Sequence, residues 1–167
     1  MAYGVVESIN APVAALEVIE RLAVANGWSF DRQGDEELAA ELPGEGCVYH
    51  LWFAWRPDRD ALHFTCVFNL RMPEKRRPAL YRLLAMINER MWMGHFDIWP
   101  DDGMVIFRQT LPLRGGPGLT AEQVEDLVDE SRAACDRFYP AFQYVIWGGK
   151  SPSDALTGVM LDPVGEA

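Results

Sequence analysis

The sequence predicts an α+β domain: an antiparallel sheet with helices packed on one face, in the order α-β-β-β-β-α-β-β-α-α. Three observations lead there. Apolar alternations come in pairs joined by short turn-forming segments, a connection open to antiparallel strands but not to parallel ones. Single stretches of helical periodicity separate those pairs. A long helical stripe near the C-terminus opens on a capping box, Thr120 with Gln123.

The first helix is expected from Asn10-Ala11-Pro12, a cap followed by a residue suited to the first turn. Val13, Leu16, Ile19, Leu22 and Ala23 recur at helical spacing, and Asn26-Gly27 supplies a left-handed stop. Residues 28–33 and 37–42 read as two short strands around Gly34, the second weakly apolar and suited to an edge. Two stronger strands, 47–56 and 61–71, flank the turn-forming Pro57-Asp58-Arg59-Asp60. In the later one, Leu62, Phe64, Cys66, Phe68 and Leu70 share a face, with His63, Thr65, Asn69 and Arg71 on the other.

Pro78 belongs in the first turn of a helix expected to reach Trp92, with Leu80, Leu83, Leu84, Ile87 and Met91 inward and Gly94 as its stop. A hairpin, 95–99 and 104–113, follows around Asp101-Asp102-Gly103. The capped helix then buries Val124, Leu127, Val128, Cys135 and Phe138, with Leu119 and Val124 as a staple across its start. Pro140 is expected to break it, leaving 143–147 as a further turn or short strand; a short terminal helix follows, and the tail from Asp162 is expected to fray.

One domain is expected over 1–167, with an ordered core about 10–160, because the 167 residues carry neither a repeat nor a linker. The net charge of −10 argues against nucleic acid or an anionic membrane as partner. Lys75-Arg76-Arg77 reads as a solvated helix start rather than a phosphate patch. No apolar run approaches the roughly 20 residues of a membrane span, and the first residues lack the pattern of a secretory leader. Cys47, Cys66 and Cys135, odd in number and widely spaced, suit free thiols in a reducing, bacterial-type cytoplasm.

No catalytic residue, metal ligand or cofactor-binding residue emerges. Gly149-Lys150-Ser151 imitates a phosphate loop, but Tyr144 stands where the loop's first glycine is needed. Ser151 as cap, Pro152 at the first helical position and Asp154 completing the cap explain the segment instead. The glycine-rich 114–118 run precedes Thr120, with Glu122 and Glu125 placed to repel an anion. A hairpin turning at Asp58-Arg59 sets His50 opposite Val67 and His63 opposite Ala54. That puts the two imidazoles on the order of 13 Å apart, too far to share a metal. His95 and Asp97 share a strand face, where a surface hydrogen bond explains them.

Tryptophan is the remaining signal. Trp52 and Trp55 lie three apart on one strand, so one must face outward; Trp92, Trp99 and Trp147 sit at element ends. Trp52, Trp55, Trp92, Trp99 and Trp147 are therefore the protein-binding candidates.

Residues 87–97 (INERMWMGHFD), 111–116 (LPLRGG), 138–142 (FYPAF) and 147–150 (WGGK) resemble the YbjN-like family over roughly 10–160. Those bacterial proteins carry only the label of sensory transduction regulators. The resemblance implies a fold like that of the type III secretion chaperones, mixed helix and antiparallel sheet, dimeric in many members and holding other proteins. It implies no catalytic residue. The expected function is a non-enzymatic protein-binding module, chaperone-like or regulatory, with another protein as partner and a homodimer formed through an uncovered sheet face. The alternative is a small-molecule sensor or enzyme with a pocket near His95, Asp97 and Arg114.

Overall fold

The structure, a computed structural model, describes residues 12–161, with side chains from residue 15 onward. The cap expected at Asn10 and the tail from Asp162 lie outside the described residues, as does the side chain of the stripe position Val13. The elements are α1 (Pro12–Asn26), β1 (Ser29–Arg32), β2 (Glu37–Pro43), β3 (Val48–Arg56), β4 (Ala61–Arg71), α2 (Arg77–Asn88), β5 (His95–Ile98), β6 (Met104–Pro112), α3 (Ala121–Ile146) and α4 (Pro152–Leu161). A 3-10 turn, Glu74–Arg76, leads into α2.

The six strands form one antiparallel sheet in the order β1-β2-β3-β4-β6-β5. The β3–β4 hairpin closes on Arg56 opposite Ala61, which places His50 opposite Val67 and His63 opposite Ala54, as the turn composition requires. Asp60 takes a positive φ of 50° there, which a short polar side chain tolerates. At the second hairpin Ile98 pairs with Val105, and Gly103 has φ 72°.

Alternation along the strands divides the sheet into two unlike faces. Leu38, Leu51, Phe53, Trp55, Phe64, Phe68, Phe96 and Phe107 point to the helices and are buried. Phe68 stands at the hub, its ring centroid 5.9–6.2 Å from those of Tyr49, Phe96, Tyr139 and Phe142. Such tilted and edge-on contacts add to the roughly 1.5–3 kcal/mol gained by burying each large side chain. Helices α1 and α3 touch the sheet on this face; α4 lies on α2 and α3.

Local signals set α3 and the turn it holds. Thr120 Oγ1 accepts from the Gln123 amide at 3.2 Å, and Gln123 Oε1 accepts from the Thr120 amide at 3.0 Å. Further along, Asp136 Oδ1 accepts from Tyr49 Oη at 2.5 Å and from the Glu45 amide at 3.0 Å, fastening the β2–β3 turn to α3. Burial first, and the Asp136 bond second, hold the Tyr49 hydroxyl well above its usual pKa, so it stays a donor.

Three expectations are corrected. Helix α2 ends at Asn88, not Trp92, because the Asn88 side chain is taken up by β5; Gly94, with φ 68°, introduces that strand instead of ending the helix. Helix α3 runs through Pro140 to Ile146. Phe138, Ala141, Phe142, Val145 and Ile146 keep one buried stripe across the proline, and that packing outweighs the missing donor. Strand β2 is interior and β1 is the edge. The low apolarity of β2 reflects Glu37, Ala39 and Glu41 on the uncovered face of the sheet.

Candidate functional site

The sheet has two edges, finished differently. At β5, Asn88 Oδ1 accepts from the Phe96 amide at 2.8 Å, and Asn88 Nδ2 donates to the Phe96 carbonyl at 3.0 Å. One side-chain amide thus takes up both outward-pointing backbone groups of Phe96, and the outward Ile98 amide donates to Asp97 Oδ1 at 2.8 Å. At β1 the Gln33 amide donates to the Glu37 carbonyl at 2.8 Å. Antiparallel alternation then turns Asp31 and Ser29 toward β2 and points the Phe30 and Arg32 backbone away from the sheet. Among the described residues no strand pairs with that edge.

Beside β1 runs a shallow cleft of about 490 Å³ against α1, lined by Glu17, Glu20, Arg21, Val24 and Phe30. Val24 is 69% exposed and Phe30 37%. Arg32 Nη1 reaches Glu20 Oε1 at 3.2 Å, fixing the strand to the helix. Open backbone groups, an apolar floor and charged walls therefore lie together along one edge.

The face opposite the helices is uncovered among the described residues. Trp52 is 38% exposed there, with Val48 nearby on the same strand face, while Trp55 is 1% exposed and belongs to the core. Among the described residues Trp55 Nε1 has no hydrogen-bond partner, a cost of about 1–3 kcal/mol. Glu41 and His50 approach to 3.5 Å, Arg108 and Asp97 to 3.0 Å, and Thr110 Oγ1 lies 3.0 Å from His63 Nδ1.

The model of a family described as "putative bacterial sensory transduction regulator", YbjN, matches residues 15–144. The chain belongs to the YbjN family. No curated protein matches it. Two solved structures share its fold. One is YbjN from E. coli, described as a putative transcription regulator, with TM-score 0.53 and 18% identity over 72% of this chain and 85% of that one. The other is the ExsC–ExsE complex, with TM-score 0.54 and 18% identity over 77% and 96%. The secretion-chaperone-like fold that the resemblance implied is thereby met.

On this YbjN-family fold the other tryptophans fall on separate elements. Trp92, 77% exposed, follows α2 and donates through Nε1 to Glu130 Oε2 of α3 at 3.2 Å. Trp99 follows β5 and Trp147 caps the C-terminal end of α3, both exposed. Trp55, being core, offers nothing to a partner. His95 and Arg114 are exposed, Asp97 is engaged by Arg108, and neither the α1–β1 cleft nor a second cleft of about 310 Å³ between α2 and α4 touches the three. No three metal-ligating side chains gather among the described residues.

The Gly149-Lys150-Ser151 segment is a helix cap: Ser151 Oγ accepts from the Asp154 amide at 3.1 Å and donates to Asp154 Oδ2 at 2.7 Å. Lys150 Nζ sits 4.2 Å over the Tyr144 ring. Arg76, read in the sequence as part of a solvated cluster, donates to the Val145 carbonyl at 2.8 Å and the Lys150 carbonyl at 3.1 Å. It closes the C-terminal end of α3, where a cation is favoured. Cys66 and Cys135 meet in the core with Sγ atoms 3.8 Å apart, and burial raises the Cys135 thiol well above its usual pKa. Sequence reasoning missed the Asn88 clasp and the β1 edge; the nearest signal was the INER run itself, which includes Asn88.

Proposed function

We propose that this chain is a non-enzymatic protein-binding module that takes an extended segment of another protein along the β1 edge. The observation that carries the reading is the contrast between a β5 edge closed by Asn88 and a β1 edge left open beside an apolar cleft. A strand added at β1 gains backbone hydrogen bonds to Phe30 and Arg32 and sets an apolar side chain against Val24 and Phe30. Asp31, Asp35 and Glu36 at the same end favour basic residues flanking that segment. ExsC, solved in complex with ExsE, is a fold relative caught holding a partner, and a regulatory role fits the family description. The odd thiol count suits a reducing cytoplasm as the place of action.

The test compares capture from the native host by the parent chain and by Phe30→Pro, which removes an outward amide at an edge where proline is tolerated. A partner retained by the parent should be lost from the variant. Its binding segment, made as a peptide, should bind the parent at least tenfold more tightly. Equal binding to both chains, or capture indifferent to residue 30, overturns the reading.

A further inference from the structure

Cys66 stands on β4 in the row Leu62, Phe64, Cys66, Phe68, Leu70 that faces the helices, and Cys135 lies on the inward stripe of α3, one turn before Phe138. Both side chains are completely buried, and the Cys135 thiol donates to Cys66 Sγ at 3.8 Å across a sequence separation of 69 residues. A single buried thiol packs as a small apolar side chain and explains itself. Two in contact carry a chemistry that alanine or valine in the same places would lack. Sulfur atoms joined in a disulfide stand about 2 Å apart, a gap that turning the two side chains about their Cα–Cβ bonds closes. Cys47, the third thiol, is half-buried just before β3, beside Tyr139 of α3.

We propose that Cys66 and Cys135 form a reversible redox latch, which a hydroperoxide closes by bonding β4 to α3. With hydrogen peroxide, one thiol takes a hydroxyl group to become a sulfenic acid and a water leaves. The other sulfur then attacks the sulfenic sulfur, the S–S bond forms, and the hydroxyl leaves with the remaining thiol proton as a second water. The two thiols lose two electrons and two protons, and the peroxide takes both. In reverse, two molecules of a solution thiol reduce the bond by exchange and leave as their own disulfide.

Burial governs the rates. It holds the Cys135 thiol well above its usual pKa, with the Cys66 thiol adding to the effect, so little thiolate is present to attack. It also keeps a reductant from the bond once that has formed. The latch is therefore slow in both directions, moving over hours rather than seconds, and it answers sustained oxidation rather than a passing pulse. In a reducing compartment it rests open, with all three thiols free. Closed, it ties the sheet to the helix layer. The β2–β3 turn is held with them, because Asp136, the residue after Cys135, accepts from Tyr49 Oη and the Glu45 amide. The inference is independent of the segment proposed at β1, an edge three strands away from β4.

Cys47→Ser isolates the pair for a test. The full chain with this substitution is held overnight in hydrogen peroxide, unfolded in urea and labelled with N-ethylmaleimide. Two labels are expected before treatment, none after it, and two again once dithiothreitol has acted. A proteolytic digest should join the Cys66 and Cys135 peptides within one chain. The Tm of the oxidised chain should rise by about 8 °C or more, because the bond closes a long loop. With Cys135→Ala added, neither the link nor the rise should occur. Should Cys47→Ser misfold, the parent chain with Cys47 capped by maleimide in the folded state takes its place. Two labels surviving the peroxide overturn the inference, as does a loss of label that dithiothreitol leaves unreversed. A link between two chains, or an unchanged Tm in the linked chain, overturns it equally.

Discussion

At β5 the outward backbone groups of Phe96 end on the Asn88 amide and the Ile98 amide ends on Asp97 Oδ1, whereas at β1 those of Phe30 and Arg32 meet no partner among the described residues. Both are four-residue strands at the margins of one sheet. The first is short, covered by α2 and closed by a side chain. The second is bare beside exposed Val24 and Phe30. An unprotected edge invites strand addition, and closing one edge while leaving the other open directs that addition to a single place.

The largest way to disturb the contrast is at the entrance to β5. Gly94 has φ 68°, and a Cβ there would overlap the Phe107 ring. Gly94→Val should therefore cost about 3 kcal/mol or more in urea unfolding, from backbone strain and overpacking together. Asn88→Ala should cost about 1–3 kcal/mol, since it leaves the Phe96 amide and carbonyl unpaired. It should also make β5 a second open edge, detectable as concentration-dependent association. Phe30→Pro, at the edge already open, should change stability by no more than about 1 kcal/mol while abolishing partner binding. Equal losses from Asn88→Ala and Phe30→Pro would erase the distinction between the edges.

Sequence logic reached whatever depends on near neighbours. The Thr120–Gln123 box, the Ser151 cap and the β3–β4 register all follow from residues a few positions apart, and the structure has each. The outward direction of Trp52 was undecidable until the register was known, because Trp52 and Trp55 sit on opposite faces of a strand apolar on both. Asn88 looked like mid-helix because its partner is eight residues on, and Arg76 looked solvated because its acceptors are 69 and 74 residues away. The β1 edge was misplaced onto β2 since carboxylates on an uncovered face imitate an edge in a single sequence. Those features depend on which elements become neighbours, which periodicity does not encode.

Amide hydrogen exchange tests the central claim most directly, first on the free chain and then with the captured segment bound. The account predicts that the Phe96 amide, held by Asn88, is protected in both states. The Phe30 and Arg32 amides should exchange freely in the first and slow at least tenfold in the second. Slow exchange at Phe30 and Arg32 in the free chain, or a bound segment that leaves them fast, would contradict it.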